Sequence, residues 1–156
     1  MRDHKMTQTK EKSQGYQFDE WYLQVMRIYR GVNQLTELYG LNYEQYLILK
    51  ALEQDGATEV MKLADRLSVS NPAISRKVNV LYAKKLITKE RKDESDQRKV
   101  FIALSEAGQQ ITRQMTIELE SILRKYQTTF ETDLAPLFKV TDQLSQFLNQ
   151  QVKLIS

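Results

Sequence analysis

Apolar residues recur at helical spacing along most of the chain. The first set advances in steps of four and three residues, which places its members on one face of a helix. This set comprises Phe18, Tyr22, Val25, Tyr29 and Val32. Gly40 follows where a left-handed residue can end the helix. Residues 1–15 lack this rhythm, so the pattern predicts a flexible N-terminal tail over 1–15.

A second helix is indicated by the residues of its first turn. Asn42 can accept hydrogen bonds from free backbone N–H groups, and Gln45 can reach back to it, as in a capping box. We therefore predict a helix from about Tyr43 to Glu53, closed by Gly56. Its buried side is expected to carry Tyr46, Leu47 and either Leu49 or the aliphatic stem of Lys50.

A tight pair of helices follows. The third helix is predicted from Thr58 to Leu67, with Thr58 as its cap and with Met61, Ala64 and Leu67 directed inward. Only residues 68–70 separate it from a fourth helix, which Asn71 and Pro72 open because proline suits the first turn. The apolar stripe of this fourth helix comprises Ile74, Val78 and Leu81.

After the fourth helix, apolar residues recur at every second position, which is typical of a β-strand. Two strand-like runs, Ile87–Arg91 and Lys99–Leu104, flank a charged segment at 92–98 and predict a hairpin with an exposed loop. Ser105 then caps a long helix with Ile111, Met115, Leu119, Ile122 and Tyr126 on one face. A last helix is expected to start at Asp133.

This order of elements predicts a mainly α fold with a small β wing. A short helix, a three-residue turn, a second helix and a hairpin make a winged helix-turn-helix domain over 41–104. Helices at 16–40 and 105–153 flank it and carry more apolar surface than a small domain can cover. These stripes could form a private core, but a homodimer interface is favoured. Its expected residues are Phe18, Tyr22, Ile122, Leu134, Leu137, Leu144, Phe147 and Leu148.

The positive charge of the chain is concentrated in its middle. Residues 62–99 carry 11 Lys or Arg against 5 Asp or Glu, a net of +6, whereas the whole chain has a net charge of +3. Such a block favours a partner of high negative charge density, above all nucleic acid. A basic face that is merely solvated is the alternative.

Composition excludes several classes of chemistry. The 156 residues include no cysteine, so disulfides, thiolate nucleophiles and zinc–thiolate sites are ruled out. No apolar stretch approaches the roughly 20 residues that span a bilayer, and no secretory signal is evident, which makes the cytoplasm the expected location. The acidic segment 93–96 lacks the glycine and the distal glutamate of a calcium loop. No catalytic set is found, and neither a cofactor nor a metal is expected.

Helical geometry identifies the side chains of the fourth helix that could meet DNA. With Ile74 at the centre of the buried face and about 100° per residue, Arg76 and Asn79 fall on the opposite face, flanked by Ala73 and Ser75. Arginine pairs well with guanine and asparagine with adenine in the major groove. Lys77 lies to the side, where a phosphate is the expected partner.

The segment from Asp96 to Gly108 resembles the wing signature of the MarR family, in which D-x-R is followed by an apolar strand and by L-[TS]-x-x-G. Leu63–Leu67 and Ser75–Val78 fit the helix-turn-helix of that family. Leu86-Ile87 followed by Arg91 fits its first wing strand, and Leu41–Gln45 its second-helix start, with Asn42 where threonine is common. The resemblance covers about residues 18–150.

The resemblance implies a homodimer that binds a pseudo-palindromic DNA operator, usually as a repressor, and that a small ligand often releases. Arg98 would enter the minor groove, and Asp96 would brace the wing. The complete expected DNA-binding set is Ser70, Asn71, Ala73, Ser75, Arg76, Lys77, Asn79, Lys89, Arg91, Asp96, Arg98 and Lys99.

Two sensing mechanisms and two other functions are weighed against this expectation. The peroxide-sensing branch of the family needs a cysteine, and the chain has none. The zinc-sensing branch needs several histidine or cysteine ligands, and His4 is the single histidine. Both mechanisms are therefore excluded. A small-molecule effector stays open, and an aromatic cluster of Trp21, Tyr39, Tyr43 and Tyr46 is assigned to the core rather than to a ligand pocket. A dimeric interaction module that has lost DNA binding, an antirepressor, is the alternative function. An enzyme ranks third.

Overall fold

The structure, a computed structural model, describes residues 13–91 and 100–155, where it forms six helices and one three-stranded sheet. The chain divides into two compact units, residues 1–112 and 113–156. This mainly helical architecture with a small sheet confirms the predicted fold class. The elements are α1 (Gln14–Glu37), α2 (Tyr43–Asp55), β1 (Thr58–Glu59), α3 (Val60–Arg66), α4 (Asn71–Ala83), β2 (Ile87–Arg91), β3 (Val100–Leu104), α5 (Glu106–Phe130) and α6 (Ala135–Ile155).

The core of the first unit draws on every element from α2 to β3 except β1. Burying a large aliphatic side chain contributes about 1.5–3 kcal/mol to the free energy of folding. The buried aliphatic residues of these elements therefore supply most of the stabilisation of the unit. The fully buried members with the largest side chains are Ile48, Leu49, Leu63, Ile74, Leu81 and Ile102.

Helix α1 starts earlier than the sequence pattern predicted. The side chain of Ser13 accepts a hydrogen bond from the Tyr16 backbone N–H and caps the helix, so residues 13–15 do not belong to a tail. Gly40, at φ 66°, ends the region in the left-handed conformation as expected. Asn33 then joins α1 to α2, because its side-chain oxygen accepts from the Tyr43 N–H at 3.0 Å.

Helix α2 confirms the predicted capping box. The Asn42 side chain accepts from the Gln45 N–H at 2.8 Å, and the Gln45 side chain accepts from the Asn42 N–H at 2.9 Å. The helix ends at Gly56, as predicted, with φ 73°. Its buried face is rotated slightly from the expectation, because Ile48 is buried and Leu47 only half-buried.

The predicted start of the third helix is wrong. Thr58 does not cap α3 but lies in β1, where it pairs with Ile102 of β3. The backbone groups of Thr58 and Glu59 are engaged by this strand pairing, so α3 begins only at Val60 and has no side-chain cap. Within α3, Leu63 and Ala64 are buried, whereas Met61, which the sequence pattern directs inward, is exposed.

The turn between α3 and α4 is closed by local hydrogen bonds. Ser68 takes a left-handed conformation with φ 53°, and the Val69 N–H donates to the Ala64 carbonyl. Ser70 caps α4 by accepting from the Ala73 N–H at 3.4 Å. This geometry fixes the angle between the two helices and confirms the predicted turn.

The sheet has the order β1-β3-β2, with β3 in the centre and both pairings antiparallel. In the outer pair, Ile87 lies opposite Leu104 and Arg91 opposite Val100. The hairpin is therefore present as predicted. Its connecting segment, 92–99, lies outside the described residues.

Ser105 caps α5 as predicted and also ties that helix to the end of α4. Its hydroxyl accepts from the Gly108 N–H at 3.0 Å and donates to the Lys85 carbonyl at 2.7 Å. The first turn of α5 is thereby held against the segment that leads into β2.

The second unit comprises the remainder of α5 and helix α6. Helix α6 begins at Ala135 rather than at Asp133, because the Asp133 side chain accepts from the Ala135 N–H at 2.9 Å and so precedes the helix. Leu134 consequently lies outside the helix. No helix in the described ranges is long and apolar enough to cross a membrane.

We expect Gly108→Ala to destabilise the protein by about 1–3 kcal/mol, the usual cost of an overpacked site. An added Cβ would overlap the carbonyl oxygen of Leu86 and lie 3.3 Å from Leu104 Cδ2. Gly31→Ala is the matched control, because nothing lies within 4 Å of its added Cβ and alanine is the better helix former. Urea unfolding followed by circular dichroism measures both; equal midpoints for the two variants would contradict the packing argument.

Candidate nucleic-acid interface

Helix α4 presents two chemically distinct faces. Its buried stripe consists of Ile74, Val78 and Leu81, as predicted. Arg76 and Asn79 are exposed on the other side. Because α4 is 13 residues long and capped by Ser70, its exposed face is a rigid platform of a size that fits a major groove.

Lys89 connects the exposed face of α4 to the wing. Its ammonium group donates to the side-chain oxygen of Asn79 at 2.7 Å. The same group lies 4.7 Å from the centre of the Tyr82 ring, within the range of a cation–π interaction. Sequence reasoning placed Lys89 and Asn79 in one set but did not predict that they touch.

Lys77 points away from this cluster. Its ammonium group forms a 2.7 Å ion pair with Glu44 in the first turn of α2. Both side chains are partly exposed, so the pair is screened by solvent and contributes little to stability. The predicted phosphate contact of Lys77 would require the lysine to exchange Glu44 for DNA.

Four of the predicted DNA-binding residues line one shallow groove of about 380 Å³ between α3, α4 and the two wing strands. These are Asn71, Ser75, Asn79 and Lys89. Met61 and Val100 contribute apolar surface to the same groove. The sequence pattern predicts Met61 in the core, but the buried side chains of α3 are Leu63 and Ala64 and Met61 is exposed.

Three of the predicted wing residues, Asp96, Arg98 and Lys99, lie outside the described residues. The backbone of Arg91 ends β2, but its side chain is not within the described part. Apart from Lys89 on β2, the remaining residues of the set belong to α4 or its cap. Ala73 is half-buried, whereas Ser70 and Asn71 at the start of the helix are exposed.

The terminal helices expose a large apolar surface within this single chain. Six of the eight predicted dimerisation residues are exposed by a third or more of their surface, and Leu134 and Leu144 are half-buried. The exposed six are Phe18, Tyr22, Ile122, Leu137, Phe147 and Leu148. Along α1 this surface forms an open groove of about 670 Å³ beside Tyr22, Met26 and Tyr29.

The aromatic residues assigned to a common cluster separate into two places. The rings of Tyr43 and Tyr46 lie 5.5 Å apart, and burial, with a smaller effect of Tyr46, raises the pKa of Tyr43. Trp21 instead packs against Phe18 on α1, with the centres of the two rings 5.4 Å apart. Within the described ranges, no group of acidic or histidine side chains has the arrangement of a metal site.

Comparison with known proteins places these features in a family. The family model for the transcriptional regulators SarA and Rot matches residues 30–115. The HTH-type transcriptional regulator SarZ of Staphylococcus epidermidis is 25% identical over 111 residues, which cover 71% of this chain and 74% of SarZ. The residues matched by the family model include the whole predicted winged helix-turn-helix segment, 41–104.

Solved structures show the same fold at lower identity. AbsC, a MarR family transcriptional regulator from Streptomyces coelicolor, has a TM-score of 0.75 and 21% identity, with 91% of this chain and 99% of AbsC covered. Reduced AbfR bound to DNA has a TM-score of 0.74 and 20% identity, with 88% of this chain and 95% of AbfR covered. The predicted resemblance to the MarR family is confirmed at the level of the fold.

The two faces of α4 should respond differently to truncation. We expect Ile74→Ala to cost about 2–5 kcal/mol of unfolding free energy, because it leaves a cavity in a closed core. Arg76→Ala should stay within about 0.5 kcal/mol of the wild type, as exposed substitutions usually do. Thermal and urea unfolding measure both, and a large loss for Arg76→Ala would show that this side chain is structural.

Proposed function

The chain belongs to the SarA/Rot family of transcriptional regulators, and we propose that it acts by binding a specific double-stranded DNA operator through the exposed face of α4. The family assignment confirms the prediction that the protein is a regulator and not an enzyme. The single observation that carries the proposal is the placement of Arg76 and Asn79 opposite the buried stripe of α4.

Charge and similarity support the same proposal. The net charge of +6 over residues 62–99 would be attracted to the phosphate backbone, which supplies much of the affinity of DNA-binding proteins. The structurally similar protein AbfR has been solved bound to DNA. The capped, rigid α4 supplies the element that such a complex inserts into the major groove.

We propose that the protein is a homodimer through the apolar faces of α1, α5 and α6. Large apolar side chains are exposed on the helices of each unit, whereas monomeric proteins rarely expose large apolar patches. Obligate interfaces are also more hydrophobic than transient ones. A twofold dimer carries two copies of α4 and therefore calls for a pseudo-palindromic operator. The proposed site of action is the cytoplasm, where the DNA is.

We propose repression as the regulatory outcome, on the basis of the MarR-like fold. The sequence has no cysteine, so release from DNA does not use thiol oxidation. A small-molecule effector is compatible with the proposal, and its chemistry is left to experiment.

A gel-shift titration against the DNA upstream of the protein's own gene tests the proposed function. Specific binding shows as a complex that survives excess unrelated duplex of the same length. A reporter fused to that DNA then distinguishes repression from activation. A folded protein that binds no duplex, specific or random, would overturn the proposal and favour the interaction-module function.

Substitutions in α4 and in the wing should weaken DNA binding in different ways. We expect Arg76→Ala to cost about 1–3 kcal/mol on the specific operator and to blur one base pair per half-site. Arg98→Ala should weaken binding to all sequences and lower the salt slope by about one per half-site. Asp96→Ala should resemble Arg98→Ala in part, because an unbraced wing must be ordered on binding.

Operator titrations of these three variants at several salt concentrations provide the measurement. If Arg76→Ala and Arg98→Ala both bind the operator as tightly as the wild type, the proposal that α4 and the wing read DNA is wrong. A loss of base preference in Arg98→Ala, without a change in salt slope, would instead assign base readout to the wing.

The dimer should dissociate when a charge is placed in its apolar face. Phe147 is exposed by 56% in the single chain, so Phe147→Asp would bury an unpaired carboxylate only in the dimer. Asn149→Asp adds the same charge about 200° further round the helix and is the matched control. Light scattering should show monomers for Phe147→Asp and dimers for Asn149→Asp; a monomeric wild type at micromolar concentration would contradict the proposal.

A further inference from the structure

We infer that Lys89 sets the base preference of Asn79, turning the side-chain amide into a hydrogen-bond donor that selects guanine rather than adenine. The inference rests on the proposed DNA-binding function and deepens it. It concerns three side chains on two elements: Asn79 and Tyr82 of α4 and Lys89 of β2.

The contact between Lys89 and Asn79 fixes which way the amide faces. A lysine ammonium group has three N–H donors and no acceptor, so only the carbonyl oxygen of an amide can bond to it. That oxygen lies 2.7 Å from Lys89 Nζ. The NH₂ group of Asn79 is bonded to the same carbon on the other side and is therefore directed away from the lysine.

The orientation of the amide matters because adenine and guanine present different edges in the major groove. Adenine offers the N7 acceptor and the N6 amino donor, so a bidentate asparagine must supply both an acceptor and a donor. Guanine offers two acceptors, N7 and O6. With one lone pair of its oxygen bonded to a cation and its NH₂ group turned away from that cation, Asn79 presents chiefly donors to the base edge. The remaining N–H groups of Lys89 add to these donors, and the positive charge disfavours the approach of a further donor such as the adenine amino group to the same oxygen.

Electrostatics act in the same direction. A positive charge beside the base edge attracts the guanine O6 and N7 acceptors and opposes the partly positive amino group of adenine. Lys89 and Asn79 together line the groove between α4 and the wing, so their charges and donors are presented at one place. The sequence pattern, which treats Asn79 by itself, predicts adenine instead.

Tyr82 holds Lys89 in position for this role. Asn79 and Tyr82 are three residues apart and so are neighbours on the surface of α4. The Lys89 ammonium group lies 4.7 Å from the centre of the Tyr82 ring. The ring thus limits the directions available to a long, otherwise mobile side chain, and Tyr82 is a positioning residue.

The test is a selection experiment with the full chain and a duplex library whose randomised core is about 20 base pairs, two turns of DNA. Wild type, Asn79→Ala, Lys89→Met and Lys89→Arg are compared. The position read by Asn79 is the one whose preference disappears in Asn79→Ala. Lys84→Met is the matched control, because it removes the same charge from an exposed lysine at the end of α4.

We expect the wild type to select guanine at the Asn79 position. Lys89→Met should shift the ratio of adenine to guanine there by about tenfold or more, the discrimination of one good bidentate pair. Lys89→Arg should keep guanine because it keeps a cationic donor. Lys84→Met should lower affinity for all sequences and leave the selected motif unchanged.

Other results separate the two proposals. If the wild type enriches no motif, the proposed function itself fails. If a motif is enriched but Lys89→Met keeps guanine and only weakens binding, or if Asn79→Ala changes no position, the assignment of Lys89 is overturned while DNA reading stands. Melting temperatures identify misfolded variants. If Lys89→Met does not fold, Tyr82→Leu replaces it as the test variant and should shift the preference toward adenine. A folded Tyr82→Leu variant that still selects guanine would then overturn the inference.

Discussion

The first unit depends on a junction around the main chain of Leu86. The Leu86 N–H donates to the Leu81 carbonyl at the end of α4 at 3.0 Å, and its carbonyl accepts from the Ser105 N–H at 3.1 Å. Gly108, in the first turn of α5, approaches that carbonyl so closely that no side chain fits between them. The backbone of one buried residue therefore joins α4, the wing strands and the start of α5.

This junction explains why a small sheet is enough to position the wing. Buried backbone groups must be hydrogen-bonded, and here the pairing is supplied across three elements rather than within one. The Ser105 hydroxyl adds a bond to the Lys85 carbonyl, where Lys85 takes a left-handed conformation with φ 60°. The direction of β2, and with it the position of Lys89, follows from this closed set of bonds.

Elements with strong local signals could be predicted from the sequence. The capping box of α2 and the stripe of α4 each depend on residues three or four apart, which periodicity and capping rules describe directly. Strand β1 could not be predicted, because Thr58 and Glu59 become a strand only by pairing with β3, more than forty residues later.

The candidate site shows the same division between local and distant causes. The exposed positions of Arg76 and Asn79 follow from the helical period alone. The partners of Lys77 and Lys89 do not, because Glu44 and Asn79 reach them through the tertiary fold. Sequence reasoning thus identified which residues face outward but could not assign what their polar atoms already bond to.

The separation of the two faces of α4 has a consequence for how such a regulator can change its target. Residues that hold the fold, such as Ile74 and Gly108, lie on the buried side or at the junction. Residues that would read DNA are exposed, and exposed substitutions usually alter stability by no more than about 0.5 kcal/mol. Under the proposed function, substitutions at Asn79 or Lys89 would therefore change the base preference without a loss of the fold. A regulator of this architecture can on this argument exchange its proposed DNA-reading residues while it keeps its fold.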